Sequence, residues 1–242
     1  MVERLKSPGK NPRLILLSKA AIFGVALVWF FGAPGRGYLS AILFLALALF
    51  LYLKPLWNSA TMLRSFGGLM ALVFLSIAAH RDFRAAAAVS EALRSFVNFL
   101  PILGALIFYI ILGLKEYILV QRRFWHFLVF SLIFYQILFF YFLFEKSFNE
   151  FYILFPVVSG FVLFAELLAL QTKAGRSSVA VAAALFGLLV MEGILVSRLL
   201  PFGFLNSANM VALGGLFFAE LALNFYNGLL GWRVFISRSA IF

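Results

Sequence analysis

The stretch Phe124–Phe144 reads FWHFLVFSLIFYQILFFYFLF and contains no Asp, Glu, Lys or Arg. It is bounded by Arg122 and Arg123 on one side and by Glu145 and Lys146 on the other. A helix needs about 20 mostly apolar residues to cross the hydrocarbon core of a bilayer, and this stretch has that length. The sequence therefore predicts a membrane-spanning helix here.

Apolar runs of the same kind fill most of the remaining chain, with short polar segments between them. Together they give eight predicted spans: Leu14–Phe31, Tyr38–Leu53, Thr61–Ala79, Phe96–Leu114, Phe124–Phe144, Phe151–Leu170, Ser178–Leu199 and Leu205–Leu230. The second run is short, and if it formed a re-entrant pair with the first, six spans would remain. We expect an all-α, polytopic transmembrane helix bundle, with residues 1–242 in a single domain.

The composition supports the same class of protein. Hydrophobic residues make up 64% of the 242 residues and charged residues only 12%, whereas a soluble domain has about 45–50% apolar and about 25% charged residues. So few charges could not cover the apolar surface of a soluble fold of this length, but in lipid the helices can be apolar all round. The chain has no Cys, which excludes disulfides, thiolate metal sites and Cys nucleophiles.

The net charge of +11 comes from basic residues in the short segments between the runs. If both termini are cytoplasmic, 14 of the 20 Lys and Arg residues lie on the inner side, as the positive-inside rule requires. We therefore expect contacts with anionic lipid headgroups on that side. We expect no nucleic-acid binding, because no basic patch with interleaved aromatic residues exists outside the runs.

Three glutamates lie inside predicted spans, and they are the strongest candidates for function. Glu166 and Glu220 lie ~7 Å and ~4 Å to the cytoplasmic side of their helix midpoints, and Glu192 lies ~5 Å to the outer side. A charge exposed to lipid at such depths costs about 2.5 kcal/mol or more. Each carboxyl should therefore face other helices or water, find a partner or stay protonated. Alternatively, a protonated Glu has only a structural role and donates a hydrogen bond to a neighbouring helix.

The eighth predicted span extends this candidate intramembrane polar site. Its polar residues follow helical spacing on one face: Asn209, Glu220, Asn224, Asn227 and Gly231. Such a stripe should point into the bundle or line a cavity, with Gln136 and Ser159 as further members. In the alternative interpretation, Asn224 and Asn227 are simply hydrated near the cytoplasmic interface. The predicted site comprises Glu166, Glu192, Glu220, Asn224 and Asn227.

Two other groups of residues have structural interpretations. Lys19, Arg64 and Arg198 are close enough to helix ends for their side chains to reach the interface. Small residues, which let helices approach closely, occur inside three of the spans: Gly67, Ala71, Ala180, Ala184, Gly187 and Gly214.

Catalytic signatures are missing from the sequence. It contains no G-x-x-x-x-G-K-[ST] or H-E-x-x-H motif and no G-x-S-x-G elbow. His80 and His126 fall on opposite sides of the predicted membrane, so they cannot share a metal. We expect no catalytic centre, no cofactor and no metal.

Three functions remain open from the sequence. The first is a transporter or channel, or a subunit of one, that uses the glutamates. The second is a non-catalytic membrane subunit or scaffold that binds membrane-protein partners or self-associates. The third, disfavoured by the missing motifs, is an enzyme acting on lipid-linked substrates. Its inner-face candidates are Arg122, Arg123 and His126, beside Lys115 and Glu116, for which a solvated anchor is the competing interpretation. Short loops and the lack of Cys suggest a prokaryotic inner membrane.

Overall fold

The computed structural model describes residues 12–32, 38–53, 62–74, 91–144 and 150–229. Within these ranges the regular structure is helical, with a 3-10 turn at Glu150–Ile153 and no strand. The eight α-helices of the described residues are α1 (Pro12–Gly32), α2 (Tyr38–Leu53), α3 (Leu63–Phe74), α4 (Glu91–Lys115), α5 (Arg122–Phe144), α6 (Leu154–Gln171), α7 (Arg176–Leu199) and α8 (Phe204–Tyr226).

The all-helical membrane fold predicted from the sequence is confirmed. Each of the eight predicted spans coincides with a helix, and five of these, α1 and α5 to α8, are long and apolar enough to cross a membrane. Three helices contribute shorter apolar segments: Ser40–Leu53, Leu63–Phe74 and Phe99–Lys115. The chain is therefore an integral membrane protein, while the number of complete crossings stays a prediction.

The predicted orientation rests largely on residues outside the described ranges. Both termini, residues 1–11 and 230–242, lie there, as do ten of the 20 Lys and Arg residues on which the charge count depends. The placement of the N- and C-termini in the cytoplasm therefore remains a prediction.

The chain divides into two compact units, Met1–Trp125 and His126–Phe242. In the first unit, α1 packs against α4 and α2. In the second, α6 packs against α7 and α7 against α8, and short turns reverse the chain between them. The prediction of a single domain is not tested by this division.

Glycines set the close approach of α1 and α4 in the first unit. A methyl group added at Gly24 would lie 3.0 Å from Cβ of Ala105, and one at Gly104 would lie 2.9 Å from a methyl of Leu27. Near this contact the rings of Phe23 and Phe108 stack with their centroids 4.2 Å apart. The missing side chains thus let two helix backbones approach as small residues do in membranes.

A cluster of buried phenylalanines forms the core of the second unit. Phe164 stacks on Phe186 with a centroid separation of 4.5 Å, and Phe134 lies 5.3 Å from Phe186. Two glycines make room for these rings. A Cβ at Gly160 would lie 3.1 Å from the Phe186 ring, and one at Gly215 would lie 2.8 Å from the Phe134 ring.

These contacts correct part of the packing prediction. In the part of the chain that the structure describes, no atom of another element lies within 4 Å of a Cβ built at Gly67 or Gly214, and Ala180 and Ala184 are exposed. Of the predicted glycines, Gly187 does lie on a packed side of its helix, since a Cβ added there would be 3.7 Å from Cβ of Phe161. Helix periodicity alone cannot assign a glycine to the packed side when every side of a helix is apolar.

Candidate functional site

One face of α7 is apolar, exposed and regularly spaced, and we call it the α7 seam. Its members alternate at intervals of four and three residues, the heptad spacing of helices that pair along a seam. Five of them are 45–85% exposed, and the sixth is a glutamate, also exposed. The α7 seam consists of Val181, Leu185, Leu188, Glu192, Leu195 and Leu199.

The opposite face of α7 anchors the helix in the second unit. It is buried and equally apolar, with only a terminal serine as an exception: Val179, Ala183, Phe186, Val190, Ile194 and Ser197. The helix therefore has one face packed and another, of similar hydrophobicity, uncovered. Ala180 and Ala184 lie beside the α7 seam and are also exposed, so a neighbouring helix could approach there closely.

Glu192 occupies the middle of the α7 seam. It lies ~7 Å along the axis from the midpoint of α7, well inside a hydrocarbon core about 30 Å thick. Within the described ranges its carboxylate has no hydrogen-bond or ion-pair partner. Alone in lipid, a charged side chain at this depth would cost about 2.5 kcal/mol or more.

Glu166 and Glu220 have different surroundings from Glu192. Glu166 is buried in α6 within a run of six buried residues, 163–168, so every side of the helix is covered at this level. Glu220 is half-buried in α8, and both residues make further contacts. The described residues contain no cluster of three or more His, Asp or Glu side chains that could hold a metal. The three glutamates are therefore not gathered into one such site.

Asn224 and Asn227 lie where α8 ends. The Asn227 side chain donates to the carbonyl of Leu223 at 2.6 Å. The Leu229 N–H donates to the Asn224 carbonyl at 2.8 Å, across Gly228, which has a φ of +67°. This geometry is a Schellman C-cap, which satisfies carbonyls that a helix end leaves unpaired. Both asparagines thus contribute to ending the helix.

The other predicted polar members lie deeper in the second unit. The Tyr135 hydroxyl donates to Oδ1 of Asn209 at 3.0 Å and so links α5 to α8. Gln136 is buried, and its Nε2 has no hydrogen-bond partner among the described residues. Ser159 is half-buried on α6. A buried amide without a partner is costly, but no cavity described here is lined by Gln136 or by any glutamate.

A groove of about 310 Å³ runs between α7 and α8. Its lining is apolar except for the hydroxyl of Tyr226, which donates to the carbonyl of Ser178 at 3.2 Å. Val181 and Leu185 of the α7 seam form one wall. The groove is therefore continuous with the seam and lengthens the apolar surface that α7 offers.

In the first unit, a buried lysine and a half-buried arginine bind carbonyls at the ends of two helices. The ammonium of Lys115, which is only 2% exposed, donates to the carbonyl of Tyr52 at the end of α2 and lies 4.0 Å from the centroid of the Tyr52 ring. Arg122 donates to the carbonyl of Leu114 at 3.2 Å, near the end of α4. Cations at helix C-termini are stabilised by the macrodipole.

The turn after α4 brings Arg122 close to Tyr117. Tyr117 has a φ of 61° and closes a Schellman motif, in which the Ile118 N–H donates to the Gly113 carbonyl at 3.0 Å. The Arg122 guanidinium lies 3.7 Å from the centroid of the Tyr117 ring. Lys19 forms an ion pair with Glu116 at 3.2 Å. Lys115 is therefore buried rather than solvated, while the interpretation of Arg122, Arg123 and His126 as a solvated anchor stays a prediction.

Arg123 and His126, the other residues suggested for an enzyme, lie on the first turns of α5. Arg123 is exposed and His126 is buried, and both make contacts with other groups. Neither residue lines the groove described above between α7 and α8. Arg64, on α3, is exposed, in keeping with a side chain that reaches the interface.

The α7 seam is the feature that sequence reasoning missed. The spacing of its residues is visible in the sequence, but the buried face of α7 is just as apolar, so the spacing of apolar residues does not separate the two faces. The signal available in the sequence was Glu192, an isolated acidic residue at one of the heptad positions of the exposed face. Comparison with known proteins adds no assignment: the chain matches no protein-family model, no curated protein and no solved structure.

Proposed function

We propose that the protein is a non-catalytic membrane subunit whose α7 seam binds a transmembrane helix of a second polypeptide. The observation that carries the proposal is the exposed carboxyl of Glu192 at the middle of an apolar heptad seam. An exposed acid here is costly in lipid, and a partner helix with a basic or hydrogen-bond-donating side chain at the same depth removes that cost. The seam spacing fits such a helix by knobs-into-holes packing.

A second copy of the chain is a less suitable occupant. In a symmetric parallel pair, the two Glu192 carboxyls would meet at one depth, and like charges in such a place oppose ionisation of both. A basic side chain on a different polypeptide gives charge complementarity instead, with a single polar position fixing the register.

Transport by the intramembrane glutamates has weaker support. A transporter needs a path for water or substrate that reaches the acidic groups. Glu166 is enclosed, Glu192 lies on the exposed face of α7, and no glutamate lines the groove between α7 and α8. The proposed host membrane is the inner membrane of a prokaryote, on the grounds of short loops and a chain without Cys.

The test is capture of the protein from its native membranes in mild detergent, followed by native mass spectrometry. We expect one different membrane protein at fixed stoichiometry. Leu188→Ala should deplete it at least several-fold, since a buried Leu→Ala change in an interface costs about 2 kcal/mol or more. Leu213→Ala is the matched control. Leu213 is 52% exposed and Leu188 is 51% exposed, but Leu213 lies on α8, outside the α7 seam, so its change should not deplete the partner.

A second variant separates association from folding. Glu192→Leu should abolish the partner yet raise the thermal stability of the protein alone, because it removes an acid exposed to lipid. A protein that is recovered alone, or only as a homo-oligomer, would contradict the proposal. Equal loss of the partner in Leu188→Ala and Leu213→Ala would also contradict it.

A further inference from the structure

A second cavity, of about 490 Å³, lies at the end of the second unit where α5 and α7 end and α8 begins. Three polar residues line it: Ser197, Arg198 and Ser207. They come from the last turn of α7 and the first turn of α8. The cavity is separate from the groove between α7 and α8, with which it shares no lining residue.

Arg198 is held in a defined position at this cavity. Its Nη2 donates to the hydroxyl of Tyr141 at 2.6 Å, and the guanidinium carbon lies 5.8 Å from the centroid of the same ring. A guanidinium has five N–H donors in a planar fork and stays protonated. The side chain therefore brings a permanent positive charge, with part of its conformational freedom already lost.

Ser207 supplies a neutral donor. The residue is only 4% exposed, yet its hydroxyl has no hydrogen-bond partner among the described residues. Ser197, in contrast, donates to the carbonyl of Ile194 at 2.7 Å. The Ser207 hydroxyl lines the cavity, where it can donate to a ligand oxygen.

The first turn of α8 adds backbone donors beside Ser207. Gly203 precedes the helix and no side chain caps it. The Ser207 N–H donates to the Gly203 carbonyl at 3.1 Å, so the N–H groups before it have no carbonyl of their own helix to bond. Together with the helix dipole, such an end favours anions.

The remaining lining is apolar and lies next to an exposed apolar turn. Phe142, Phe202 and Phe204 line the cavity, and Phe202 is 46% exposed. A turn with such residues suits the border between lipid headgroups and acyl chains, where aromatic side chains prefer to lie. The cavity therefore combines anion donors with walls that suit an alkyl chain.

We propose that this cavity binds a phosphate group, either of a phospholipid headgroup or as the free anion. Arg198 and the first turn of α8 receive the phosphate oxygens, Ser207 donates one further hydrogen bond, and the phenylalanines contact the attached chain. Charge-assisted bonds from a guanidinium to phosphate are often bidentate. The site does not depend on the α7 seam or on its partner.

The test uses the purified full chain in detergent and native mass spectrometry with added phosphatidylglycerol. We expect retained lipid, reduced about tenfold or more in Arg198→Gln and about fivefold in Ser207→Ala, the ratios expected for a charge-assisted and a neutral hydrogen bond. Arg176→Gln, at the opposite end of α7 and also exposed, is the control and should retain lipid like the wild type. Thermal unfolding should show that Ser207→Ala is folded.

Competition with inorganic phosphate identifies the source of the bound phosphate, and diacylglycerol tests whether a phosphate is needed at all. Displacement of the lipid by millimolar inorganic phosphate would support the site with the free anion as ligand, and retention against phosphate would support it with the lipid. The proposal is overturned if diacylglycerol is retained as well as phosphatidylglycerol. It is also overturned if Arg198→Gln retains as much lipid as the wild type, or if Arg176→Gln loses as much as Arg198→Gln.

Discussion

At the scale of single residues, the three intramembrane glutamates differ in what surrounds them. Glu166 is buried, so a protonated carboxyl can serve there as a hydrogen-bonding group between helices. Glu192 is exposed and without a partner among the described residues. The same residue type is thus buried at one position and, at the other, lies on an exposed apolar face, where a charged carboxylate would be costly in lipid.

The sequence predicted which ionisable residues lie within apolar helices but not their surroundings. The depth of each glutamate follows from its place in an apolar run. Whether it faces lipid, a neighbouring helix or a cavity depends on the rotation of that helix, and rotation is set by contacts such as Phe134 against Gly160 and Gly215. Those contacts join distant parts of the chain, and no local pattern in the sequence reports them.

The pair Gly214 and Gly215 gives a prediction at this scale. Gly215→Ala should lower the free energy of unfolding by about 1–3 kcal/mol, because the new methyl would lie 2.8 Å from the buried ring of Phe134. Gly214→Ala is the adjacent control, with open space around its Cβ in the described structure. It should be neutral or stabilising by up to about 1 kcal/mol.

Unfolding of both variants in the same detergent is the measurement. Equal stability of the two variants would show that the ring of Phe134 moves aside freely, contrary to the tight phenylalanine core described for the second unit.

At the scale of helices, α7 shows that the sequence of an apolar helix does not indicate which of its faces is buried. In a soluble protein, an apolar stripe opposite a polar one identifies the buried face. In α7 both faces are apolar, so the helix was predicted correctly over nearly its full length while its exposed face was not. The boundaries of the other helices were predictable for the same reason, because charged and turn-forming residues delimit the apolar runs.

Helix ends give the second prediction. Lys115→Ala should destabilise the protein by about 1–3 kcal/mol, because the Tyr52 carbonyl at the end of α2 loses its buried donor. Lys173→Ala, at an exposed position after α6, should change the free energy of unfolding by less than about 0.5 kcal/mol.

Denaturant or thermal unfolding of the two lysine variants, compared with the wild type, is the measurement. A Lys115 variant as stable as the Lys173 variant would mean that the Lys115 ammonium does not stabilise the C-terminal end of α2.

At the scale of the whole chain, the membrane class followed from composition and the orientation from charge. Both are sums over many residues, so they tolerate errors at single positions. The division into two compact units and the exposed α7 seam were not accessible in this way. They depend on which helices contact each other, and residues throughout the chain are apolar enough to pack against almost any neighbour.

The orientation can be tested because the chain has no Cys of its own. Single cysteines at Ala174 and Pro201, in the turns on either side of α7, report opposite membrane surfaces. With the basic side in the cytoplasm, a membrane-impermeant thiol reagent should label Pro201→Cys in intact cells and Ala174→Cys only after permeabilisation. The reverse pattern would invert the predicted topology.

The central claim is that α7 binds a partner helix along its exposed seam. The most direct measurement places a photo-crosslinking amino acid, in native membranes, at each position from 181 to 199 in turn. The account predicts one crosslinked partner polypeptide, with maxima at positions 181, 185, 188, 195 and 199 and minima on the buried face. No crosslinked polypeptide at those positions, or crosslinking to lipid alone, would contradict it.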